Sequence, residues 1–150
     1  RDVVLGEDRF DYAFKKYIRD WSYKHPTPWD FFRSMENGAG EDLPWFWKTV
    51  FFETWQLDQA VTKVEYRDNN AKNGALVTIA NLEQMAMPVT VEYTTVSGKK
   101  GRKILPVEIW QSTGTWKFGL DTDEELSSVV LDPDKRLPDM NPDNNTWKKE

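Results

Sequence analysis

The 150-residue sequence contains no cysteine and only one histidine, His25. Without cysteine there is no disulfide staple and no thiol chemistry. The redox compartment stays open, because a periplasmic protein can also lack disulfides. A single imidazole cannot build a zinc centre, which takes three or four ligands, usually including His or Cys. His25 precedes Pro26 between two helical stretches, so it reads as a structural or solvated residue. No apolar run is long enough to span a bilayer, and no leader pattern is present. A piece of a longer chain would have left its leader behind, which keeps localisation open. No serine sits in a Gly-x-Ser-x-Gly elbow, and there is no glycine-rich phosphate loop. Basic charge is in the minority: 20 Lys and Arg face 25 Asp and Glu, for a net −5. The lone basic cluster, Lys99-Lys100-Gly101-Arg102-Lys103, reads as a charged hairpin tip. Phosphate binding needs a clustered basic face, so the balance argues against a nucleic-acid partner.

What the sequence has in quantity is aromatic residues, 14% of the total. They concentrate in residues 21–55, WSYKHPTPWDFFRSMENGAGEDLPWFWKTVFFETW, which hold five of the eight tryptophans. Two helix starts mark this stretch. Thr27-Pro28-Trp29-Asp30 places a hydroxyl at the N-cap, proline at the first helical position and a carboxylate three residues after the cap, a capping box with Asp in place of Glu. Asp42 before Leu43-Pro44 repeats the acidic-cap-then-proline pattern. Gly38 and Gly40 supply the break between the two helices.

In chain order, Arg1 to Leu5 followed by Gly6 reads as the last turn of a helix already under way, which predicts an excised piece of a longer chain. From Glu7 to about Tyr23, Phe10, Phe14, Tyr17, Ile18 and Trp21 fall on one face of an amphipathic helix. Acidic residues come early and basic ones late, as the helix dipole favours. Pro26 stops that helix. A second is predicted over Pro28 to Glu36 and a third over Leu43 to Trp55. The third carries Trp45, Phe46, Trp47, Phe51, Phe52 and Trp55 on more than one side, the pattern of a helix buried all round. Three short helices cannot cover that much aromatic surface themselves. The following domain, another copy or an absent catalytic domain must do so.

Near Leu57 the pattern changes to two-residue alternation. Val64/Tyr66, Val77/Ile79, Val89/Val91/Tyr93, Leu105/Val107/Ile109, Trp116/Phe118/Leu120 and Val129/Leu131 alternate with polar neighbours. Turn signals separate them at Asp68-Asn69-Asn70, Asn73-Gly74, Met87-Pro88, Ser97-Gly98 and Ser112-Thr113-Gly114. Pro106 inside one run predicts an edge or a bulge. The tail from Asp132 reads as an ordered, irregular loop. The fold class that follows is α+β: a helical segment over residues 1–56, then an antiparallel β-sandwich of six or seven strands over 57–150, packed against it.

Few residues suggest chemistry. Asp121, Asp123, Glu124 and Glu125 form an acidic run, and Asp132, Asp134, Asp139 and Asp143 populate the tail. Calcium takes six to eight oxygens from such loops. Neither run has the spacing of a known calcium loop, so both read as solvated or turn-forming, helped by Pro133, Pro138 and Pro142. Carboxylate pairs for glycoside hydrolysis come from distant strands and show no spacing signature. Trp110, Trp116 and Trp147 are candidates for a sugar-stacking platform, although Trp116 alternates with Phe118 and Leu120 and reads as core. Asn144-Asn145-Thr146 is a glycosylation sequon.

The string KHPTPWDFFRSMENGAGEDLPWFWKTVFFETW resembles the helical end of the catalytic domain in the aminopeptidase N family of zinc metallopeptidases. More narrowly, it is similar to the bacterial branch whose chains finish in a β-sandwich. The resemblance runs from Phe10 through Leu57 and more loosely through the tail DPDKRLPDMNPDNNTW. It implies a C-terminal piece whose chemistry lies upstream: the family's His-Glu-x-x-His is absent here. Met35-Glu36-Asn37 echoes part of that family's Gly-x-Met-Glu-Asn substrate-binding motif. Here, however, it closes a helix before Gly38, with Arg33-Ser34 in place of the glycine-containing lead, so no substrate role carries over to Glu36. By this reading the 150 residues contain no catalytic, cofactor-binding or metal-ligating residue. They would serve as structural support or an interaction module beside an upstream catalytic domain. Zinc and a peptide substrate would belong to the parent chain alone, and a periplasmic or secreted location would follow. Two other readings remain: a stand-alone β-sandwich binding module for glycan or protein, and a homo-oligomeric domain whose aromatic helices pair between copies.

Overall fold

A computed structural model of the chain describes residues 1–149. It divides into two compact units, Arg1–Thr54 and a second beginning at Trp55.

The first unit contains helices α1 (Glu7–Trp21), α2 (Pro28–Ala39) and α3 (Pro44–Trp47), the last running on as a π-helical segment over Lys48–Phe52. The capping box at the start of α2 is formed. The Asp30 amide donates to Thr27 Oγ1 at 3.3 Å, and the Thr27 amide donates to Asp30 Oδ2 at 2.9 Å. These bonds occupy donors that the first helical turn would otherwise leave free.

Four local expectations are corrected. Gly6 does not close a helix: residues 2–5 form turns, and Gly6, at φ 79°, is the N-cap of α1. Gly38 does not break α2, which continues to Ala39 and ends at the left-handed Gly40. Gly38 instead allows close packing, because a Cβ there would lie 2.7 Å from Ala13 Cα and 2.8 Å from Ala13 Cβ on α1. Asp42 does not cap α3. Leu43 is the N-cap, and its amide donates to Glu36 Oε1 at 3.0 Å, so a side chain from α2 meets that need. The third helix ends at Phe52 rather than Trp55, after its hydrogen bonding widens to the π pattern at Lys48. The Thr49 hydroxyl donates back to Trp45 O at 2.7 Å across this transition, the local competition that bends and disturbs helices. The core of the unit is Leu5, Ala13, Phe32, Met35, Ala39, Leu43 and Trp47.

Among the described residues the second unit is a seven-stranded antiparallel sandwich. The strands are β1 (Gln59–Tyr66), β2 (Ala75–Asn81), β3 (Val89–Thr95), β4 (Lys100–Leu105), β5 (Thr115–Leu120), β6 (Leu126–Leu131) and β7 (Thr146–Lys148). One sheet has the order β1-β2-β5 and the other β4-β3-β6-β7. Val77 and Ile79 of one sheet, and Val89, Val91, Leu126 and Val129 of the other, are fully buried in one shared core. Their alternation with half-buried neighbours follows the two-residue period that made these strands legible.

Two predictions differ here as well. Val107 and Ile109 do not continue a strand. β4 stops at Leu105, and Pro106, which has no amide to offer, leads into a short 3₁₀ helix over Val107–Trp110. The tail is not wholly irregular, since β7 adds to β6 with Val129 opposite Trp147. Just before β7 the tail joins the two sheets. Asn144 O accepts the Val61 amide of β1 at 3.1 Å, and Asn145 O accepts the Leu131 amide of β6 at 2.9 Å. At another edge, Lys103 of β4 donates through Nζ to Gly119 O of β5 at 2.9 Å.

Candidate functional site

The helical unit leaves part of its aromatic surface uncovered. Trp29, Phe32, Arg33 and Glu36 recur at intervals of three, one and three along α2, so they share one face of that helix. Trp47 and Phe52 face them from the third helix. Together these side chains wall a cavity of about 470 Å³. Phe32 is its buried floor, stacked on Trp47 with centroids 4.7 Å apart and planes at 18°. Trp29 and Phe52 close over the outside, stacked at 5.6 Å and 16°. Phe51 meets Phe32 edge-on at 5.1 Å. Trp29, Phe51 and Phe52 are nonetheless 59%, 55% and 56% exposed. Phe51 and Phe52 lie on the π-helical segment, on the aromatic surface that sequence reasoning expected the three helices to be unable to cover by themselves.

The polar rim is committed largely to holding the face together. Glu36 Oε1 accepts from both the Leu43 amide and the Trp47 indole Nε1, each at 3.0 Å. Glu36 thereby fixes the angle at which the third helix starts and the orientation of the Trp47 ring. Arg33 pairs with Asp30 at 3.0 Å. The Thr27 hydroxyl, then its amide, then Arg33 hold the Asp30 carboxyl below its ordinary range. Chemically the arrangement presents ring faces framed by both signs of charge.

The other candidates separate on inspection. Met35 is core and Asn37 is exposed; with Glu36 they lie inside α2 rather than closing it. His25 is exposed in the loop between α1 and α2, next to Tyr23 and Lys24. Among the described residues no three His, Cys, Asp or Glu side chains come together in a group that could hold a metal ion. The acidic residues serve locally. Glu124 pairs with Lys99 at 2.6 Å, which chiefly accounts for its carboxyl being pulled down to about 2. Glu125 pairs with Lys149. Asp134 takes a two-pronged pair from Arg102 at 2.8 and 3.0 Å, which holds its carboxyl low. Asp132 accepts the Arg136 and Leu137 amides at 3.0 and 2.8 Å, and Asp139 accepts those of Gln59 and Asn141, both at 2.9 Å. Asp121, Asp123 and Asp143 are exposed.

The basic cluster is an arm of the β3–β4 hairpin rather than its tip, which lies at residues 96–98. Three of its charges meet acids: Lys99 reaches Glu124, Lys100 reaches Glu92 at 3.2 Å, and Arg102 reaches Glu92 at 2.9 Å as well as Asp134. Trp110 and Trp147 pack on the sandwich core, and the Trp110 indole donates to Met87 O at 2.9 Å. Trp116, expected in the core, is 38% exposed. The sequon residue Asn144 is tied down, its Nδ2 donating to Asp58 Oδ1 at 2.7 Å while its own Oδ1 is buried. That leaves the sequon poorly placed to accept a glycan on the folded chain.

Sequence reasoning expected the helices to leave aromatic surface uncovered without saying which rings, and it missed the bridging role of Glu36. The first had a signal, the aromatics on several sides of the third helix, which does not say which of the rings stay uncovered. The second had none, because Glu36 and Leu43 are joined only by a side chain crossing between helices. A scan against protein-family models found no match to this chain, and a search of curated proteins found none.

Proposed function

We propose that this chain is a non-catalytic support or interaction module of a larger protein resembling the bacterial zinc aminopeptidases, working through the aromatic face of its helical unit. The observation that carries the reading is the exposure of Trp29 and Phe52 at the aromatic cavity and of Phe51, which packs on its floor residue Phe32. Covering three rings exposed to this degree removes on the order of 300 Å² of apolar surface from water, worth on the order of 7 kcal/mol before association costs. A patch of this size is on the scale of the largest that a typical monomer exposes, and such patches are often functional. In this reading the helices wall an upstream catalytic domain and the sandwich supports it. Zinc would supply an activated water for attack on the peptide carbonyl near a free N-terminus, held by residues outside these 150.

The test is the reading frame upstream of Arg1. Continuation into a His-Glu-x-x-His helix with a downstream Glu supports the proposal. A start or leader immediately before Arg1 sinks it. Substituted zinc ligands would keep the module but remove the peptidase. The same aromatic face favours a second reading, pairing between copies of the chain. Light scattering separates the two: a mass that doubles with concentration supports self-pairing, and a strict monomer at high concentration removes it. The glycan-module reading keeps only Trp116 as an exposed stacking ring among its three candidates. Uniform non-binding on a glycan array would end it.

A further inference from the structure

We draw no further inference here: the strongest candidate, the aromatic-walled cavity between α2 and the π-helical segment of the helical unit, belongs to the face already described, and nothing in the structure shows what covers it.

Discussion

Glu36 shows how much one side chain can organise. Its Oε1 serves two donors on the third helix, the Leu43 amide and the Trp47 indole. Glu36→Ala leaves both without that acceptor in a partly buried place, a change expected to cost about 1–3 kcal/mol. Glu36→Gln keeps an acceptor oxygen and is expected to recover most of the loss. Chemical denaturation of the two variants checks this, and equal losses would show that the carboxylate's shape does not matter. Gly38 makes a second residue-scale case. Alanine there would gain about 1 kcal/mol in helix propensity. The new Cβ would meet Ala13 backbone at 2.7 Å, however, so α1 and α2 must part. Overpacking of this kind costs about 1–3 kcal/mol, and the predicted net effect of Gly38→Ala is destabilisation, read as a lower denaturation midpoint.

Acid sensitivity also belongs to individual residues. Glu124 is held at about 2, first by Lys99, against an ordinary value of 4.5. Because the folded value is depressed, its contribution is present above pH 4.5 and is lost as pH falls toward 2. Glu92, held low by Arg102 and then Lys100, and Asp134, held low by Arg102, act in the same direction. Denaturation midpoints measured from pH 5 to pH 2 are expected to fall, and Glu124→Gln is expected to flatten the slope. An unchanged slope in that variant would place the acid sensitivity elsewhere.

At the scale of elements, the tail is more than an appendage. Asn144 and Asn145 accept amides from one sheet each, and Trp147 of β7 packs on the shared core. Removing residues 141–150 deletes these bonds and that ring while leaving Asp139 bonded to Gln59. The expected cost is roughly 3 kcal/mol, from lost apolar burial and unmet amides. A thermal melt of the truncated chain would show it as a clear drop in Tm, whereas an unchanged melt would show that the sheets need no clasp. The elements also show where pattern reading succeeds. The start of α2 was legible because its cap lies within four residues, Thr27 to Asp30. The alternating strands were legible because one face of each is buried. Leu105, Val107 and Ile109 kept the same alternation, but the missing amide of Pro106 ended the strand between them.

At the scale of the whole molecule, the exposed rings set an expectation for solution behaviour. The isolated chain is expected to bind a hydrophobic reporter dye in its native state. Replacing Trp29 and Phe52 together with serine is expected to reduce that fluorescence by at least half. Both side chains are more than half exposed, so the stability cost should stay modest, mainly the loss of a ring stack worth about 0.5–1.5 kcal/mol. Undiminished dye binding in a folded double variant would place the apolar surface elsewhere.

The amino-acid sequence by itself determined the α+β class, the order of helices before strands and the start of α2. Those features rest on caps, periodicities and turn residues whose partners are close in the chain. Tertiary structure alone decided the rest. It made Gly38 a contact point rather than a break, gave the start of α3 to Glu36 instead of Asp42, and turned Phe51 and Phe52 outward. It also recruited the tail, which bonds to both sheets at Asn144 and Asn145 and then adds a strand to one of them. The physical reason is the distance along the chain over which these bonds act. Gln59 and Asp139 meet across 80 residues, and no local pattern encodes a partner so remote.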